Sequence, residues 1–296
     1  MLSTSLLRIK KNILIIQLLT CVYLDCIAQT KFQKHTEVGF LLGGIHYAGD
    51  LNQRFNIPKN IGLGGSLIIQ RNSLDTRWGW RNTFSAGRFS SADKNSNDPF
   101  LENRNLSVRT FVGEFSSQVV FNFLPYEIGG VSPNMLFPFT PYVFTGGAFY
   151  YFLPQAELNG TYYNLRNMDT EGQGTSVYKK KRAAAIQFAI PVGLGIKASL
   201  NKRVGIGVEW GIRKLYTDYL DDVSSTYVYP EVLRRERGDA AAALSDRSLN
   251  LQVDDNENYS NLNRQRGDSK SKDWYSFLGV SIVWRINDNR GRCPSY

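Results

Sequence analysis

The sequence is poor in the residues on which most active-site chemistry depends, with only three cysteines, two histidines and three methionines in 296 residues. With His35 and His46 as the only imidazoles, any histidine-dependent triad must use one of them. Beyond residue 28 no apolar run approaches the ~18 residues of a membrane-spanning helix, so a helical membrane protein is excluded too. No phosphate-cradling glycine motif and no helical pair of metal ligands occurs. The glycines of Gly62-Leu63-Gly64-Gly65 fall in strand alternation with no helix behind them.

A net charge of +9 would suit a polyanionic partner, but the cations are scattered rather than gathered on one stripe. Neither nucleic acid nor a small-molecule substrate or cofactor is therefore expected. Part of the excess lies at the start, where Arg8, Lys10 and Lys11 precede the apolar stretch from Ile13 to Val22. This is a signal-peptide layout, and Cys26-Ile27-Ala28 before Gln29 places cleavage after Ala28. The rival lipoprotein reading fits less well, because Thr20 precedes Cys21 and Asp25 precedes Cys26. Cleavage leaves Cys293 alone, which excludes an internal disulfide and a cysteine-rich metal site. The expected organisation is a signal peptide over 1–28 and one domain over 29–296.

What the chain does have is glycine and aromatic rings, with 26 Gly, 16 Tyr and 17 Phe, a composition of strands and tight turns. Period-two alternation is clearest where Ile186, Phe188, Ile190, Val192, Leu194 and Ile196 oppose Gln187, Ala189, Pro191, Gly193 and Gly195. Val204, Ile206, Val208, Trp210 and Ile212 likewise oppose Gly205, Gly207, Glu209, Gly211 and Arg213. Near the C-terminus Leu278, Val280, Ile282, Trp284 and Ile286 oppose Tyr275, Phe277, Gly279, Ser281 and Arg285. Weaker copies cover 36–47, 60–71, 78–89, 106–124 and 140–152. The predicted fold is all-β: a closed antiparallel outer-membrane β-barrel of about eight strands.

Alternation alone also fits a soluble sandwich with these charges on its wet face. Three features favour the membrane. The second set carries Glu37, Arg81, Glu114, Glu209, Arg213 and Arg285, charges expensive in lipid but tolerable in a polar lumen where they pair. Connections also alternate in length. Those over 48–59, 90–105, 153–182 and 217–273 fall on one end, and 72–77, 125–139 and the Asn201-Lys202 turn on the other, as long extracellular loops and short periplasmic turns require. All five tryptophans, Trp78, Trp80, Trp210, Trp274 and Trp284, lie in strands, several near their ends, as aromatic girdles do.

Candidate sites are few. His46 lies at the outer end of the first strand near Asp50, where a lipid-modifying hydrolase would place a base. Asp218, Asp221 and Asp222 lack calcium-loop spacing and read better as a hydrogen-bonded loop cap. The long loop carries Pro230–Arg237 and Gly238–Arg247 as prospective short helices. The connection 125–139 holds Tyr126, Ile128, Val131, Met135, Leu136 and Phe137, which either dock on a periplasmic partner or fold back to plug the barrel mouth.

Several segments resemble the PorG-like outer-membrane proteins of Bacteroidetes. They are Gly43-Gly44-Ile45-His46-Tyr47-Ala48-Gly49-Asp50-Leu51-Asn52, Asn105-Leu106-Ser107-Val108-Arg109, Glu114-Phe115-Ser116 with Phe121-Asn122-Phe123, and Phe139-Thr140-Pro141-Tyr142-Val143-Phe144-Thr145-Gly146. The strongest are Gly207-Val208-Glu209-Trp210-Gly211-Ile212-Arg213-Lys214 followed by Thr217-Asp218-Tyr219-Leu220-Asp221-Asp222-Val223-Ser224, and the ending Arg292-Cys293-Pro294-Ser295-Tyr296. The resemblance makes Asp50, Asn52, Asp218, Tyr219, Asp221 and Asp222 a family-signature loop. It implies a non-enzymatic component of the type IX protein secretion system, set in outer-membrane lipid and associated with a periplasmic ring of a PorK-like lipoprotein and a PorN-like partner. The alternatives are a lipid-modifying hydrolase using His46 and a barrel of adhesin or structural role. Lys179-Lys180-Lys181-Arg182 departs from the family pattern and reads as a loop edge near anionic headgroups.

Overall fold

The computed structural model describes residues 35–52, 61–73, 76–129, 139–178, 181–249 and 261–286. The signal peptide, its cleavage site at Ala28 and Cys293 lie outside these residues.

Alternating sequence becomes wall. The strands are β1 (His35–Ala48), β2 (Ile61–Asn72), β3 (Trp78–Ala92), β4 (Ser107–Asn122), β5 (Phe139–Leu158), β6 (Thr161–Asn164), β7 (Ile186–Ser199), β8 (Val204–Leu215) and β9 (Trp274–Arg285). All pairings are antiparallel, and β1 pairs with β2 on one edge and β9 on the other, so eight strands close into a ring. His35 opens β1 instead of preceding it. β6 stands outside the ring as a short flap on the far end of β5, which runs past Phe152 to Leu158. The cause is local: Leu158 and Thr161 pair across Asn159-Gly160, both at positive φ (52° and 79°), the two-residue turn whose twist suits a hairpin.

The two faces of the wall are chemically opposite. Val208, Trp210, Leu194, Val280 and Leu278 point outward and are exposed, whereas Gly207, Glu209, Gly211 and Arg213 are buried inside. On β3 to β5 the outward face is mostly apolar from the row Trp78, Phe121, Val143 to Phe111 and Leu153, with Arg88 at its edge. Ten residues at about 3.4 Å each, tilted by about 40°, give roughly the 25 Å of an outer-membrane apolar band. Within the band Asn82 and Ser117 face outward together, and Ser117 Oγ donates to Asn82 Oδ1 at 2.9 Å, so neither meets lipid unpaired. Trp78, Trp80 and Trp284 gather near the end carrying the short turns, Trp274 marks the loop end, and Trp210 sits between.

The interior is solid. Towards the loop end the lumen is an apolar core, in which Ile45, Phe89, Val112, Tyr150, Phe152 and Phe277 pack with loop residues Leu165, Leu220, Val223 and Leu244. The loops also carry α1 (Pro99–Arg104), α2 (Leu165–Met168), α3 (Pro230–Arg237) and α4 (Asp239–Ser245). α3 starts on Pro230 and ends at Gly238, while α4 is built on four alanines, so proline, glycine and helix propensity together account for the pair within the 217–273 loop. Val228, Leu233, Ala241 and Ala242 form a second small core beneath them.

Candidate functional site

The mid-lumen is organised by two arginines. On β3, Arg81 reaches across the barrel to Glu209 of β8, Nη1 to Oε2 at 2.5 Å, and its Nε and Nη2 both donate to Gln118 Oε1. Tyr142 donates its hydroxyl to the same carboxylate at 2.6 Å, and the guanidinium lies 4.3 Å from the Phe144 ring centroid. Phe144 fits there because β7 and β8 offer glycine: a Cβ on Gly193 would sit 2.2 Å from its ring and one on Gly211 2.6 Å. Nearer the loop end Arg213 forms a two-point pair with Glu114, at 3.0 and 3.1 Å, and Tyr275 donates to Glu114 at 2.6 Å. Each of these four charges thus has an opposite charge and a further hydrogen bond, which is what burial of ions demands.

The other two lumen charges lie at the turn end. Glu37 accepts from Asn72 Nδ2 at 2.7 Å. Arg285 sits at the rim, pairing with Glu127 at 2.6 Å and donating to Ile128 O at 2.8 Å. These contacts bear on the start of the 125–139 connection. Tyr126 and Ile128 are buried against Val283 and seal the turn-end mouth, so these two residues are a plug and not an exposed docking surface. Gly129, at φ +69°, holds the turn against Lys202, where a Cβ would approach Lys202 O to 2.3 Å. Val131, Met135, Leu136 and Phe137 lie outside the described residues.

The signature loop caps the opposite mouth. Tyr47 donates to Asp221 at 2.5 Å and lies 3.2 Å from Asp273 Oδ1, Thr170 donates to Asp222 at 2.6 Å, and Asp50 Oδ2 accepts from the Asp268 backbone N–H. Arg266, fully buried, ties Glu171 to the backbone of Asp222 and Ser245, and Tyr219 donates to Glu171. Arg104 of α1 pairs with Asp93 and donates to the carbonyls of Arg266 and Asp50. Arg182 is drawn into this cap as well, pairing with Asp169 beside Arg237. Carboxylates still outnumber the arginines near Asp50, and burial pushes Asp218 and Asp222 up to about 7 and Asp221 and Asp273 well above the usual carboxylate range. Glu171, Arg266, Asp93 and Arg104 are cap residues that sequence reading missed, since a lone charge in a polar loop carries no periodicity to mark it.

His46 faces the outer side of the wall, beside an open recess of about 290 Å³ formed with Ala48, Ile212, Trp274 and Ser276. Its cross-strand neighbour is Ser276. Asn52 Nδ2 donates to Tyr47 O at 2.7 Å and lies 3.2 Å from His46 Nε2. With the amide nitrogen turned to both groups, Nε2 is the accepting side of this contact.

A closed eight-stranded antiparallel barrel with an apolar outer belt and a charged lumen crossed by two ion pairs defines an outer-membrane-type β-barrel protein. Residues 11–234 match the family described as "Domain of unknown function (DUF6089)", and the chain belongs to that family. No curated protein matches its sequence. Similar solved structures include Neisserial surface protein A, with 7% identity over 85% of this chain and 97% of that one at a TM-score of 0.40. The attachment invasion locus protein Ail of Yersinia pestis has 8% identity over 86% and 99% at 0.38, and the outer membrane protein OprG of Pseudomonas aeruginosa 8% over 87% and 99% at 0.38.

Proposed function

We propose that the chain is a non-catalytic outer-membrane component of the type IX protein secretion system, held by its barrel and meeting a periplasmic ring of PorK-like and PorN-like partners from the turn end. The observation that carries the non-conducting, structural part is the filled lumen: among the described residues a plug at Tyr126 and Ile128, two crossed ion pairs and a packed cap occupy it. Against the hydrolase alternative stands the contact of Asn52 Nδ2 with His46 Nε2, the nitrogen a catalytic base would use. The secretion role and the ring partners rest on the resemblance of the Gly207–Lys214 and Thr217–Ser224 segments. On this reading the short turns face the periplasm and the capped loops face outside.

The test is deletion of the gene followed by complementation. The expected result is loss of secretion of cargo bearing C-terminal sorting domains, restored by wild type and by His46→Ala, with ring lipoproteins crosslinked from a photoreactive residue at Met135. Normal secretion in the deletion strain, or crosslinks arising only from Arg235, would overturn the reading.

A further inference from the structure

The outer wall of β3, β4 and β5 carries a groove that none of the foregoing uses. It has a volume of about 300 Å³ and is lined by Ser90, Lys94, Asn95, Arg109, Gln155 and Tyr162, with Glu157 its carboxylate. The Arg109 guanidinium lies 3.6 Å from the Tyr162 ring centroid and donates to neutral Gln155 at 3.3 Å, leaving Nε without a partner. Arg247, reaching in from the long loop, bonds only neutral groups, Ser107 Oγ and Glu157 O. Arg88, one step diagonally below Arg109 on the same face, is exposed. Among the described residues neither Arg88 nor Lys94 has an acidic partner. Arg81, Arg213, Arg104 and Arg266 in the lumen and cap each meet a carboxylate, whereas here several cations converge on one.

Height on the wall says what meets them. Leu63, Phe111 and Leu153 are the last apolar residues of the belt, Arg88 stands in their row at its edge, and Ser90, Arg109 and Gln155 form the next outward row, about 7 Å further along the strands. A groove one to two rows above the hydrocarbon edge lies at the level of lipid headgroups. We propose that it binds the phosphorylated sugar headgroup of an outer-leaflet glycolipid. Arg109, Arg88 and Lys94 take the phosphate, the planar guanidinium pre-oriented by its stack on Tyr162. Ser90, Asn95, Gln155 and Glu157 offer hydrogen bonds to sugar hydroxyls. Such a lipid pinned beside α1 and the β5–β6 flap braces the cap against the membrane surface.

The proposal rests on the loop end facing outside, and protease access to the 217–273 loop in intact cells checks that orientation separately. For the site itself, the full-length folded protein is placed in nanodiscs of phosphatidylcholine, and bound lipid A is counted by native mass spectrometry. Three probes are compared: bisphosphorylated lipid A, its dephosphorylated form and inorganic phosphate. The expected result is one tightly held bisphosphorylated lipid A per barrel, binding weakened about tenfold or more when the lipid phosphates are removed or when Arg88, Lys94 and Arg109 are all changed to Gln. Lys214→Gln with Lys272→Gln, cations at the same end on another wall, leaves binding unchanged, and a heat-modifiable gel shift shows that each variant is folded. Equal binding by the groove variant, equal loss in the control variant, or displacement of the lipid by millimolar inorganic phosphate would overturn the proposal.

Discussion

Arg81 and Glu209 lie 128 residues apart in the chain and 2.5 Å apart in the lumen. Both side chains are almost wholly buried, so each is the other's main compensation for lost water. Arg81→Met should therefore leave Glu209 stranded and destabilise the barrel by about 3–5 kcal/mol. Adding Glu209→Gln should recover a good part of that loss. Urea unfolding in detergent, read by the gel shift of the folded form, measures both; a double variant less stable than the single one would show that the pair is not the unit of stability. The same logic at Glu114 and Arg213 explains the choice of residue types. Arginine's fork meets a carboxylate at two points, and the phenols of Tyr142 and Tyr275 fill a remaining carboxylate lone pair. Sequence placed these charges on the inner face through their parity with glycine. Which acid met which arginine was not legible, because pairing across a lumen depends on barrel diameter and strand stagger.

At the scale of elements, the eight wall strands follow the alternation closely because one face must satisfy lipid and the other must not. Val208 is a sharp probe of that rule, since it is more than half exposed in the middle of β8. Val208→Arg should cost about 2–4 kcal/mol if Val208 lies near the bilayer midplane, whereas Tyr216→Arg, just past the loop end of β8, should cost about 0–1. Equal costs in folding titrations into lipid vesicles would mean that the belt is misplaced. The elements less legible in sequence were those outside the ring. The β5–β6 flap has a plain signal in Asn159-Gly160, overlooked because its strands lack a sustained apolar face. α1 also has one, with Asp98 accepting from the Phe100 N–H before Pro99 and Asn105 closing it at φ 56°.

For the whole molecule, the consequence of these pieces is a barrel stoppered at both ends. The cap adds a pH dependence of definite sign. Asp218, Asp222, Asp221 and Asp273 are raised by burial above the ~3.9 of an unfolded aspartate, so folding favours their protonated forms. Their contribution to stability is full below about pH 4 and is lost as pH rises through about 7. The thermal midpoint of the folded barrel in detergent should fall between pH 5 and pH 8, and Asp218→Asn should flatten that slope. A midpoint rising over the interval, or an unaltered slope in the variant, would contradict the assignment of the buried acids.

Sequence alone determined the class of wall: alternating apolar residues, loop lengths that alternate with parity and an inner set of glycines and charges define a strand's faces locally, two residues at a time. It also defined α3 and α4 through proline, glycine and an alanine run. Only the tertiary structure decided that Tyr126 and Ile128 turn inward, that His46 accepts from Asn52, and that Glu171 and Arg266 anchor the cap. Those outcomes depend on which residues far apart in the chain reach the same mouth of the barrel, and that is set by closure of the ring between β1 and β9, a contact no local pattern encodes.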